Sequence, residues 1–543
     1  MSMNRSIVLS AIVLLSTTAY AQTTVLKQGK AFTKAMKGAT GDIFTVVDGV
    51  FAPDGRHLLY VEEGLTPKVV RLDALMQPTE ELVLKDLTID GLKWTGVAPA
   101  IEGGTMRCLL VSNGKKNAEY GIGTVNTTGP LSITGFRKLV AFELPYVNDP
   151  GNTMADRPLP DPILFTKGLA YVQQERLVRG SDGNWLLNHF TQNGKGNKRF
   201  FFAYLDKDFD VLWNGSVELP YEDIKSSIHQ IALAPDGIIR LLTYVFQCKS
   251  EEQLGDKNCH ELHLTTISEN GKTVSDVLLE KDFVSSARML ERGGGKVMLA
   301  LRYGSLTGQP GVVCTFDPAD PKLKPTPLLD QRLPSIRKTR LMAYGDPTAD
   351  PRKAISRTAK VPNEIVDVLP AADGGAMVVE TFLETQFPLP MGDAIAMRHL
   401  SGAVRASQVL PNDSLGWQKV LDRALMTTAG QAYEGAEVMR IPEGWLFLHG
   451  HTPKGYEAIM RAGQLAGESK GALPAEPQVL KAVIMDKSGT SLREGTALMM
   501  EDAFVPCTMG VLLDPTGNTA LVKSYDRGTN YRFTLIDLTA LGK

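Results

Sequence analysis

Helical periodicity is almost missing from this 543-residue chain, the clearest stretch being residues 417–426. Without apolar residues recurring at every third and fourth place, the chain must build its core from strands. An excess of one charge is missing too: 58 Lys and Arg stand against 60 Asp and Glu, a net −2. A balance so close to zero leaves no electrostatic footprint for nucleic acid or an anionic membrane. No apolar run of 18 residues follows the first twenty-one, so no transmembrane segment is expected in the mature chain. No phosphate-cradling Gly-x-x-x-x-Gly-Lys occurs. Gly467-Glu-Ser469-Lys-Gly471 matches a nucleophile elbow by letter, but its flanks have loop composition where a strand and a helix are needed. Ser335-x-x-Lys338 lies in a basic loop without companion motifs.

The first twenty-one residues form a unit of their own. Arg5 precedes the apolar stretch from Ile7 to Leu15, and Ala19-Tyr20-Ala21 stands just before Gln22. A basic start, a short apolar stretch and an Ala-x-Ala exit make a secretory signal peptide. The mature chain, 22–543, is expected to be exported, periplasmic or extracellular, and monomeric. In that setting the five cysteines raise the question of disulfides. Cys248 ends one apolar run and Cys259 opens the next, with a polar loop between them. A bridge there would staple two strand ends and stabilise by roughly 2 to 3 kcal/mol. Cys108, Cys314 and Cys507 sit among apolar residues and read as small buried hydrophobes.

What the chain has in abundance is one turn, repeated. Pro53-Asp54-Gly55, Pro235-Asp236-Gly237 and Asp514-Pro-Thr-Gly517 each separate two apolar runs. Weaker copies stand at Ser181-Asp182-Gly183, Gly293-Gly294-Gly295, Asp373-Gly374-Gly375 and Pro442-Glu443-Gly444. Gly supplies the positive φ of a tight hairpin, so each copy marks a strand pair. The clearest unit reads as strands over 228–233, 238–246, 262–267 and 274–279. A second reads as 365–369, 376–382, 394–400 and 404–410. Four strands at intervals of roughly 50 to 80 residues predict an all-β fold, a β-propeller of about seven or eight four-stranded blades. The last unit lacks a fourth strand, and Thr23-Thr24-Val25-Leu26 has no unit of its own. A propeller must hide its edges, so the N-terminal strand is expected to close the last blade. A loose N-terminal tail is the alternative. Inserted loops are expected near 148–162, 332–362 and 461–478.

Metal ligands are poorly represented, and neither a metal nor another cofactor is expected. Asp206-Lys-Asp208-Phe-Asp210 alternates carboxylates but lacks the later Gly and Glu of a calcium loop, and reads as a hairpin turn. His449 and His451 share a strand face without a third ligand in view. If the first strand of each blade lines the channel, the residues entering it converge at the axis. Those entries are Asp42, His229, Arg288, Glu364, Glu437 and Asp502. Carboxylates beside one His and one Arg suit a ligand site or an acid/base pair, and equally a merely wet opening.

Phe51-Ala-Pro-Asp54-Gly55-Arg-His-Leu58-Leu59-Tyr60 resembles the strand-turn-strand of TolB-like (WD40-like) propellers. More broadly, the pattern from Leu369 to Gly402 is similar to secreted propeller-like proteins of Gram-negative bacteria with unassigned activity. The resemblance implies a fold and carries no catalytic residue across. Two function classes follow. One is a binding or scaffold module of the cell envelope, with an envelope protein or a glycan as partner. The other is a hydrolase or lyase with acidic residues at the channel mouth.

Overall fold

The computed structural model describes residues 24–34, 44–144, 176–246, 260–328, 363–427, 436–451 and 479–542, short connections within these ranges excepted. Eight antiparallel sheets succeed one another along these residues as the blades of a β-propeller. Blades 1 to 4 span 44–83, 87–143, 177–222 and 226–280. Blades 5 to 7 span 284–327, 363–421 and 436–499, and blade 8 joins 505–537 to 25–33. Helix appears among the described residues only as three-residue 3-10 turns.

Blade 4 shows how the sequence encodes the unit. Ser226–Leu233, Ile239–Phe246, His260–Ser268 and Thr273–Glu280 pair in chain order. Leu241 faces Ile231 on one side and Thr265 on the other, so the second strand is covered by ladders along both edges. Its apolar residues Ile239, Leu241, Leu242 and Tyr244 are buried accordingly. The hairpin before it closes through the Ala234 N–H donating to Ile238 O at 2.8 Å, with Asp236 and Gly237 at φ 65° and 75°. Only a residue without a Cβ, or one such as Asp, takes that left-handed region cheaply.

The same turn also appears without glycine. Asp206 Oδ1 accepts the N–H of Asp208 at 2.9 Å and of Asp210 at 2.8 Å, which makes the carboxylate alternation a hairpin turn. Phe209 occupies its left-handed position at φ 67°, and its buried ring stacks on Trp185 at 5.3 Å. Packing offsets the backbone strain there.

The core is a ring of apolar wedges between blades. Leu59 and Val70 of blade 1 pack with Leu521 and Tyr531 of blade 8, and Leu446 and Leu480 of blade 7 with Val522 and Ile536. Met377 and Ala406 of blade 6 meet Trp445 and Phe447 of blade 7 in the same manner. Truncating one such side chain, Leu446→Ala for example, costs about 2–5 kcal/mol.

The N-terminal strand closes the ring. Val25–Gln28 pairs antiparallel with the last strand, Val25 opposite Ile536 and Gln28 opposite Thr534. The Asp537 N–H donates to Thr24 O at 2.6 Å.

Blade 6 departs from the expected pattern. Its third and fourth strands are Val404–Val409 and Leu415–Leu421, whereas Ala394–Ser401 pairs with Thr385–Met391 and Leu425–Thr427 in a separate sheet. Val404–Val409 is buried throughout, and that burial selects it as the partner of Ala376–Phe382. The helical hint at 417–426 is overridden for the same reason, because Trp417 lies opposite Gln408 in a ladder. Cys108, Cys314 and Cys507 are buried, and burial pushes the thiols of Cys108 and Cys314 up to about 12. Cys248, Cys259 and the three expected loops lie outside the described residues.

Candidate functional site

First strands of neighbouring blades approach one another, Val284–Glu291 lying against both Ser226–Leu233 and Asn363–Pro370, and several are bulged. The register slips between Val46 and Asp48 in blade 1, Ile228 and Gln230 in blade 4, Val284 and Ser286 in blade 5, and Ile365 and Asp367 in blade 6. A bulge re-aims the side chains beside it. Here it turns polar residues toward the neighbouring blade. Gln230 Nε2 donates to Met289 O at 2.8 Å while its Oε1 accepts the Met289 N–H at 2.7 Å. Ser286 Oγ donates to Ile365 O at 2.9 Å and accepts the Ile365 N–H at 3.1 Å. Side chains thus stand in for a ladder between the inner strands.

Arg288 is the centre of this network. Its Nε donates to Val366 O at 3.0 Å, and its Nη1 donates to Ala287 O at 2.9 Å and to His229 Nε2 at 2.6 Å. His229 Nε2 also lies 2.9 Å from Ala287 O, so imidazole, guanidinium and carbonyl meet at one point. The His229 ring also meets Tyr244 edge-on at 5.3 Å.

Carboxyls complete the cluster. Burial raises Asp367 above its ordinary value, against the pull of the Val368 N–H at 2.8 Å and the charge of Arg288. Burial, then the charge of Asp367, push Glu437 up to about 7. Burial also raises Asp48, whose Oδ1 accepts the Gly49 N–H at 2.7 Å. Charge thus couples Arg288 of blade 5 to Asp367 of blade 6, and Asp367 to Glu437 of blade 7. The result is a guanidinium beside an imidazole, with two buried carboxyls whose proton affinity is raised, Glu437 to about 7.

Of the residues the sequence singled out, His229 and Arg288 are in direct contact, and Glu437 joins them through Asp367. They sit within Ser226–Leu233, Val284–Glu291 and Ala436–Ile441, the first strands of blades 4, 5 and 7. Asp42 and Asp502 lie outside the described residues, as does the Glu364 side chain, although its backbone belongs to Asn363–Pro370. Sequence reasoning missed Asp48 and Asp367. Their signal was a carboxylate inside an apolar strand, Val46-Val47-Asp48 and Ile365-Val366-Asp367.

Other candidates hold less. The rings of His449 and His451 are 6.5 Å apart. Among the described residues no group of three His, Cys, Asp or Glu is placed to hold a metal. Gly467-Glu-Ser469-Lys-Gly471 and Ser335-x-x-Lys338 lie outside the described residues.

No family model matches the chain, and no curated protein matches it. Among solved structures it is similar to a prolyl oligopeptidase B from Galerina marginata, with a TM-score of 0.37 and 10% identity over 90% of this chain. The chain spans 56% of that peptidase's length. An oligogalacturonate lyase in complex with manganese gives 0.38 and 8%, covering 95% of this chain and 100% of that one. A polysaccharide lyase gives 0.36 and 10%, covering 95% and 98%. Likenesses this weak carry nothing on activity, and the architecture rests on the strand order.

Proposed function

We propose that the protein is an exported binding module of the cell envelope whose ligand sits in the channel between blades 4 and 7. One observation carries this reading: the polar groups there are positioned before any ligand arrives. Arg288 is fixed by Val366 O, Ala287 O and His229, and Asp367 by the Val368 N–H. Pre-organised donors and acceptors lower the ordering cost of binding. Two buried carboxyls, Asp367 and Glu437, with one guanidinium favour a polar ligand rich in donors, such as a glycan or an envelope protein segment. Export rests on the signal-peptide pattern before Gln22, and kinship with TolB-like propellers on the Pro-Asp-Gly turns. A Cys248–Cys259 bridge belongs to the same proposal.

A hydrolase or lyase is the second reading, and one observation favours it. A carboxyl held near 7 beside a second carboxyl is poised to pass a proton at neutral pH. Purified mature protein offered glycans and peptides, beside a pull-down from envelope extract, separates the two. A stable partner that Arg288→Gln loses supports the binding module. Turnover without a stable partner, abolished in Glu437→Gln, overturns it in favour of the enzyme.

A further inference from the structure

The opposite use of the fold lies at its tight-turn end, between blades 6 and 7. Most hairpins there join the first and second strands through five residues, as at 371–375 in blade 6. In blade 7 Ile441 already pairs with Gly444, leaving only Pro442 and Glu443 in the turn. A cleft of about 350 Å³ opens beside this turn, lined among others by Asp373, Gln408, Arg440, Trp445 and Lys487.

The charges of this cleft are unevenly committed. Asp373 accepts the Gly375 N–H at 2.9 Å and Gln408 Nε2 at 3.3 Å. Glu443, in the turn itself, is paired with Arg493. Arg440 and Lys487 are exposed and make neither an ion pair nor a hydrogen bond through their side chains among the described residues. Arg440 stands opposite Trp445 in the ladder, so a cation and an indole share one wall. The other cation comes from the turn whose Lys487 carbonyl accepts Trp417 Nε1 at 2.9 Å.

We propose that this cleft binds a small organic anion, its carboxylate or phosphate group held between Arg440 and Lys487. A planar carboxylate matches the guanidinium fork, and either group is drawn by two uncommitted cations in a recess of ligand size. The site is separate from the channel and does not depend on the reading given to it.

Calorimetric titration tests the proposal with glucuronate as the carboxylate probe, inorganic phosphate as the phosphate probe and glucose as the neutral control. At least one anion should saturate the wild type, weaken about tenfold or more in the Arg440→Gln/Lys487→Gln double variant, and be unchanged in Glu437→Gln. Glucose should give no binding. Which anion binds identifies the source. The substituted side chains are exposed and uncommitted, so the double variant should melt with the wild type. Failure of both anions, or equal affinity in the double variant, overturns the site.

Discussion

Arg288 Nη1 donates to His229 Nε2 at 2.6 Å across the boundary between blades 5 and 4. Its Nε holds Val366 O of blade 6, so one guanidinium ties three blades together. Arg288→Ala should take the guanidinium donor from Val366 O, at about 1–3 kcal/mol for a buried group left unmatched. A loss of that size in urea denaturation is expected. Arg288→Lys should recover less than half, because one ammonium cannot reproduce the fork. An unaltered midpoint in both variants would remove the network as a structural tie.

Glu437 should make stability depend on pH in a defined direction. Its carboxyl is pushed from an ordinary 4.5 to about 7 by burial and by Asp367. Between those values the folded state binds more protons than the unfolded state, so stability falls as pH rises through that window. Glu437→Gln should flatten the profile there and gain on the wild type above pH 7. Urea midpoints at pH 5 and pH 8 decide it, and parallel profiles for both proteins would contradict it.

How far the sequence reached depends on the kind of interaction. Turns were legible because Gly237 at φ 75° and Gly517 at φ 73° meet a local steric demand that one residue type satisfies. Ring closure was legible as well, since an incomplete last unit and an unassigned Val25-Leu26 segment imply each other. The third strand of blade 6 was not, because Ala394–Ser401 and Val404–Val409 both read as strands, and it is the fully buried Val404–Val409 that pairs with Ala376–Phe382. Asp367 was missed for a related reason. Counting inward from a strand start fails once a bulge shifts the phase after Ile365.

His263 supplies a second pH test with a different window. Burial disfavours its charged form, but the hydrogen bonds to Asp276 at 2.9 Å and Glu261 at 3.3 Å, with their charges, outweigh it and raise its pKa above 6.5. A raised histidine stabilises fully below its unfolded value, and the stabilisation is lost as pH climbs through the folded value. Its imidazole resonances should titrate above pH 6.5, and His263→Gln should lose stability mainly on the acid side. A midpoint at or below 6.5 would contradict the pairing.

Glu380 is the hinge of a buried ion triad between blades 5 and 6. Arg405 Nε donates to its Oε2 at 2.7 Å, and Arg302 Nη1 lies 3.9 Å from its Oε1. All three side chains are almost fully buried. Removing the shared anion leaves two guanidinium groups facing each other in a poorly solvated place, and breaking such a set costs about 3–5 kcal/mol. Glu380→Gln should therefore unfold at clearly lower urea than wild type, while the double variant Glu380→Gln/Arg302→Met recovers part of the loss. No recovery would mean that packing, not charge, sets the cost.

The N-terminal strand offers the plainest test of closure. Beyond the ladder of Val25–Gln28, Thr24 Oγ1 donates to Ala497 O of blade 7 at 2.8 Å, and the Gly29 N–H donates to Phe533 O at 2.9 Å. Deleting residues 22–30 removes these bonds together and uncovers the end of the last strand, around Thr534 to Ile536, as an edge. An uncovered edge recruits other chains, so size-exclusion chromatography should show oligomers as well as a melting temperature lower by several degrees. Thr24→Ala, which keeps the ladder and loses one buried hydrogen bond, should cost about 1 kcal/mol and leave the protein monodisperse. If the deletion melts with the wild type and elutes as one species, the ring is held by the wedges between blades alone.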